Sequence, residues 1–158
     1  MRIAFQPKGI NLSIRPQVRI ADLFFSLHPE YYATCLACPI GVSDPKTIPD
    51  IQMTASSTYE DAQFQPEFGR LRGNRGGGWC SRTGDSNDEW LQIYFGALFT
   101  VCGVGTQGEV NGNDWVKAFK LSFSTDGSSW FTYAFDNGTD VVRYCYKDFL
   151  VVTYCISF

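Results

Sequence analysis

The sequence predicts an all-β domain, a sandwich or barrel built from short strands. Three observations point there. From Cys38 onward, short runs that alternate apolar with polar side chains are separated by clusters of Gly, Asn, Asp and Ser. No helical period of useful length occurs in that part of the chain. Of the 158 residues 44% are hydrophobic and 16% aromatic, enough to fill one core.

The elements follow in chain order. Residues 1–37 carry no recognisable motif and are read as an N-terminal extension, interrupted by Pro7, Pro16 and Pro29. Within them the apolar stretch 20–27, broken by Asp22, suits one short helix or strand. The glycines between Gly69 and Gly78 form a rim loop, since Gly supplies the dihedrals of tight loops, and Trp79 is its anchor. Residues 90–95 read as a strand with Leu91, Ile93 and Phe95 on one face. Residues 101–104 read as a short buried strand that ends at a turn around Gly105 and Gly108. The run 119–124 keeps period two throughout, with Phe119, Leu121 and Phe123 inward and Lys120 and Ser122 outward. Asp126-Gly127 then tolerates positive φ and makes a tight turn, from which residues 130–135 return as the partner strand.

Several function classes are disfavoured. A net charge of -3 and a pI near 5.0 lack the basic excess of a general nucleic-acid binder. No apolar run reaches the ~20 residues of a membrane span, and no targeting signal is visible. The glycine-rich stretch has no GxxxxGK[ST] pattern and no strand–loop–helix context, so it is not a phosphate loop. Cys35 and Cys38 have the spacing of a zinc knuckle, but no second such pair follows, and His28 is the only histidine. A nucleophile would lack a base, and no pair stands out among Glu60, Asp61, Glu67, Asp85, Asp88, Glu89 and Asp114, acids that are read as solvated. No enzyme is expected. Arg70, Arg72, Arg75 and Arg82 cluster around the glycines, as either an anion-binding patch or a charged, solvated loop. The six cysteines, Cys35, Cys38, Cys80, Cys102, Cys145 and Cys155, permit fifteen pairings. Asn11 and Asn137 begin glycosylation sequons.

Eight motifs in order carry a resemblance. They are Cys38-Pro-Ile-Gly-Val42, Ile48-Pro-Asp-Ile-Gln-Met-Thr-Ala-Ser-Ser57, Gly69-Arg-Leu71, Gly78-Trp-Cys80, Glu89-Trp-Leu-Gln-Ile93, Gly103-Val-Gly-Thr-Gln-Gly108, Trp115-Val-Lys117, and Ser122-Phe-Ser-Thr-Asp-Gly127 with Trp130. Together they resemble the discoidin domain, also called the coagulation factor V/VIII C-type domain, over residues 38–140. The resemblance implies a galactose-binding-like jelly-roll β-sandwich, a distorted barrel whose loops at one end bind ligands. Members of that family bind phosphatidylserine membranes, collagen, glycans or proteins, mostly outside the cell and often in adhesion.

Carried onto this chain, the first binding loop holds Tyr59, Glu60, Asp61 and Phe64, the second Arg72, Arg75 and Trp79, and the third Val110, Asn111, Asn113 and Asp114. An acidic, Asn-rich third loop would lose hydration in a bilayer and repel anionic headgroups. The expected partner is therefore a cell-surface or matrix glycan or protein, with Tyr59 or Phe64 stacking on a sugar or anchoring a partner. Both rings, and Phe68, could instead pack beneath the loop. A phosphatidylserine-dependent membrane module is the second reading, and an incomplete domain without independent function the third. No nucleic-acid partner and no cofactor are expected, a structural Ca2+ ion being left open. Extracellular or cell-surface localisation is implied by the resemblance alone.

The chain departs from the family at two places. Tyr94 stands where the family usually has Asp, which removes a polar core contact and adds a ring. Residues 141–158 form a divergent tail that does not align with the family's ending, and it is read either as a shortened final strand or as sequence foreign to the domain. A fold left open would expose an unpaired strand edge. The family pairs its opening and closing cysteines, and in some members a second pair includes the Gly-Trp-Cys cysteine. That pattern implies Cys38–Cys155 and Cys80–Cys145.

Overall fold

Among the described residues, eleven strands pair antiparallel into two sheets. The structure is a computed structural model, and it describes residues 2–7, 17–26, 38–39, 41–59, 62–71, 78–82, 88–98, 100–108, 115–116, 118–133, 143–144 and 150–156. The strands are β1 (Arg2–Pro7), β2 (Gln17–Ser26), β3 (Cys38–Pro39), β4 (Met53–Ala55), β5 (Trp79–Cys80), β6 (Leu91–Tyr94), β7 (Thr100–Gln107), β8 (Ala118–Ser124), β9 (Phe131–Thr132), β10 (Arg143–Tyr144) and β11 (Leu150–Ile156). Two single-turn 3-10 segments, Asp50–Gln52 and Pro66–Gly69, flank the first loop.

The six-stranded sheet runs β10-β8-β1-β6-β4, with β9 also on β8. The five-stranded sheet runs β11-β7-β2-β3, with β5 also on β2. One core joins them. Met53, Leu91, Ile93, Phe119, Leu121 and Phe123 come from the first sheet, and Trp79, Val101 and Val104 from the second. This is the β-sandwich that the alternating runs predict.

β6 and β8 behave as their patterns require on the core side, where Leu91, Ile93, Phe119, Leu121 and Phe123 are all buried. β7 is longer than its apolar centre suggests. Val101 and Val104, three residues apart, both reach the core because the pairing of β7 with β2 shifts register once between Val101 and Gly103, which puts an extra residue into β7 there. The turn after β8 is built around Asp126, whose Oδ1 accepts from the N–H groups of Ser128 and Ser129, each at 2.8 Å. These two bonds hold the Asp126 carboxyl well below the usual carboxylate range. Gly127 takes φ +81°, as the Asp-Gly step requires.

The motif-free N-terminal segment supplies two interior strands. β1 lies between β6 and β8, with Ala4 opposite both Gln92 and Ser122. β2 lies between β7 on one side and β3 and β5 on the other. Residues 20–27 are therefore strand rather than helix through Ser26. The divergent tail adds β10 against β8 and β11 against β7, so the outer side of β7 is paired from Val101 to Thr106.

Tyr94 differs from its expected place. It points to the outer face of β6 at 39% exposure, between the buried Ile93 and Phe95, so it adds no ring to the core.

Candidate functional site

The first loop leaves the sandwich at the end of β4, where Ala55 pairs with Leu91. Ser56 and Ser57 therefore emerge beside Glu89 and Trp90. Ser56 N donates to the Trp90 carbonyl at 3.0 Å, and Trp90 N donates to Ser56 Oγ at 2.9 Å. The hydroxyls of Ser56 and Ser57 both donate to the Glu89 carboxylate, the second at 2.7 Å. Ser57 Oγ also accepts from Arg82 N at 3.0 Å. Glu89 is buried at 5% exposure, so this acid is an internal tie and not the solvated group that its polar surroundings suggest.

β5 fixes the loop from the other side. Tyr59 N donates to the Cys80 carbonyl at 2.9 Å, and Cys80 N reaches the Phe64 carbonyl at 3.4 Å. The Trp79 Nε1–H donates to the Ser57 carbonyl at 3.0 Å. Trp79 is 1% exposed, which corrects its place among the ligand-contacting residues: it anchors the first loop from within the core and offers a ligand no surface. Tyr59 and Phe64 are both half-buried and meet edge to face, with ring centroids 5.8 Å apart and planes at 69°. They brace the loop against itself.

Arg70 is withdrawn from the arginine cluster. Its guanidinium donates to the carbonyls of Val42 (2.5 Å) and Ile48 (2.7 Å) and to Asp50 Oδ1 (2.6 Å). The side chain is buried, so it pins residues 42–50 against the sandwich and leaves no face for an anion. Arg82 is exposed. Arg72 and Arg75 lie outside the described residues, as do Glu60, Asp61, Val110, Asn111, Asn113, Asp114, Asn11, Asn137 and Cys145.

The cysteine pairing is corrected in part. Cys38 on β3 is level with Phe25, Phe25 with Val101, and Val101 with Ile156, the neighbour of Cys155. Three strand spacings of ~4.8 Å thus separate the two cysteines, about 14 Å against the ~7 Å that a disulfide spans. Cys80 is buried, with Sγ 3.5 Å from the Ser81 carbonyl oxygen.

A two-sheet sandwich with a loop braced at one end is an architecture of recognition domains. Residues 52–148 match the F5/8 type C domain, and the chain belongs to that family. Its fold is accordingly the galactose-binding-like jelly roll, and the domain is a non-catalytic binding module. Among its relatives, human (Homo sapiens) neuropilin-2 is 36% identical over 99 residues, which cover 60% of this chain and 10% of neuropilin-2. Lactadherin of Sus scrofa is 38% identical over 104 residues, covering 60% of this chain and 25% of lactadherin. Lactadherin of Rattus norvegicus is 35% identical over 113 residues, covering 66% and 26%. The chain thus matches about a tenth of one relative and a quarter of the other.

Proposed function

We propose that this domain is an extracellular or cell-surface recognition module that binds a polar ligand, a glycan or a protein, through the loop end, in a role such as cell adhesion. The chemistry of the first loop carries the reading. Its exposed described positions are Ser56, Ala62 and Gln63, while Tyr59, Phe64 and Phe68 are half-buried. Among the described residues, the exposed large hydrophobics, Ile51, Tyr94, Leu98, Trp130 and Phe131, all lie outside this loop. A loop that wedges into a bilayer needs bulky apolar groups at its tip. This one presents small and polar groups on a braced frame, which favours hydrogen-bonded recognition at low ordering cost.

The reading invokes no metal, so binding should survive chelation by EDTA. Liposome sedimentation tests it against the membrane alternative: strong binding only to phosphatidylserine vesicles would overturn it. Glycan-array or cell-surface binding that Tyr59→Ala abolishes, through loss of the brace against Phe64, would support it.

A further inference from the structure

The centre of the outer face of the six-stranded sheet is not the wet surface that period-two patterning predicts. Gln92 and Ser122, which point away from the core, are only 7% and 5% exposed, and Ala4 between them is equally covered. These three form one row across β6, β1 and β8, and Thr132 on β9 extends it, level with Ser122. The row is the floor of a groove of about 470 Å³, within the range of small-ligand sites. Trp90, two residues before Gln92 on the same face, forms one wall. Trp130 and Gly127, carried by the Asp126 turn, form the other. From β6 to β9 is three strand spacings, about 14 Å.

Three features identify what the groove would hold. First, the floor contains an unsatisfied group. Among the described residues the Gln92 carboxamide has no hydrogen-bond partner, although it is more than nine-tenths buried and lines the cavity. Such a group is costly to leave unmade and is ready to pair with a ligand. Second, the polar groups are hydroxyl and carboxamide, which donate and accept at once, and none of the described side chains that line the cavity is charged. Ser122 Oγ and Thr132 Oγ1 lie 3.1 Å apart and keep spare lone pairs. Third, two indoles wall a polar floor, and Trp130 is 37% exposed. A pyranose has this same division, with an apolar C–H face to lie on an indole and a rim of neutral hydroxyls that donate and accept. A peptide strand fits less well, because β1, β6 and β8 already spend their backbone groups on one another.

We infer that this groove is a second binding site, distinct from the loop end, and that it takes a neutral saccharide of about two sugar units, stacked on Trp130 or Trp90 and hydrogen-bonded to Gln92, Ser122 and Thr132. The site is completed by the N-terminal strand, since Ala4 provides the low centre of the floor. A larger side chain there would fill it.

The test uses the full chain with lactose, cellobiose, maltose and N,N′-diacetylchitobiose as probes, each to about 10 mM, with intrinsic tryptophan fluorescence and amide chemical shifts as readouts. At least one probe should bind. Trp130→Ala and Gln92→Leu should each weaken that binding at least about tenfold. Gln92→Leu should also leave the melting temperature unchanged or raised, because it replaces an unpaired buried amide by an apolar group of similar size. A Gln92→Leu protein that is clearly destabilised shows that the amide is structural and overturns the assignment. So does silence from all four probes, or binding that both variants leave intact. Tyr59→Ala separates the two sites: it should spare this binding, and loss of disaccharide binding in that variant would move the ligand to the loop end.

Discussion

Arg70 offers the sharpest test of how the fold is held together. Replacing it by Ala orphans the carbonyls of Val42 and Ile48, both on buried residues, and releases Asp50. Each buried acceptor left unmade costs about 1–3 kcal/mol. The Asp50 pair adds less than about 1 kcal/mol, because the Asp50 side chain is 47% exposed and water screens it. Together these come to about 2–7 kcal/mol, and the middle of that range, about 4 kcal/mol, lowers the melting temperature of a domain of this size by about 8–16 °C. Two further variants identify the cause. Arg70→Lys keeps the charge but has no fork, so it reaches one carbonyl and should recover less than half of the loss. Asp50→Asn should cost less than about 1 kcal/mol. Thermal denaturation followed by circular dichroism reads all three. If Arg70→Lys melts like the parent, or Asp50→Asn costs as much as Arg70→Ala, the fork over the two carbonyls is not what holds residues 42–50.

Other expectations follow from the same geometry. Deleting residues 1–7 removes the strand between β6 and β8, so the shortened chain should lose its cooperative melt; a sharp transition at the parent temperature would show that β1 is dispensable. Ser57→Ala removes one tie to Glu89 and the acceptor of Arg82 N, which should cost about 1 kcal/mol and speed amide exchange at Tyr59; unchanged exchange there would count against the tie. Asp126 has its folded-state pKa depressed below the ordinary 3.8, so its carboxylate stabilises the fold above that pH and the contribution is lost as pH falls toward the lowered value. The stability gap between the parent and Asp126→Asn should therefore be constant at neutral pH and narrow under acid, and a gap independent of pH refutes the assignment.

Much of the sandwich was legible. The alternation of Phe119, Leu121 and Phe123 reports its own buried face, and Asp126-Gly127 reports its own turn, because both signals are local. The place of β1 was not, since Arg-Ile-Ala-Phe-Gln-Pro becomes an interior strand only through partners far along the chain. The site was legible as loops but not in its parts. Trp79 and Arg70 carry side chains that serve ligands as readily as cores, and only the convergence of the Ser57, Val42 and Ile48 carbonyls decides between these uses. Glu89 sits in an acidic, polar stretch, and nothing local shows that two serines from the end of β4 will cover it. Patterning assigns Gln92 and Ser122 to the solvent side correctly, but it does not see the tryptophans that close over them.

The position of β1 also orders events in time. A ribosome releases Arg2–Pro7 before either of its partners, so the strand has no neighbour until Leu91–Tyr94 is made and no second one until Ala118–Ser124 follows. The six-stranded sheet therefore cannot assemble progressively from its beginning. It closes late, around a strand made well before its partners, and such long-range closure makes folding slow.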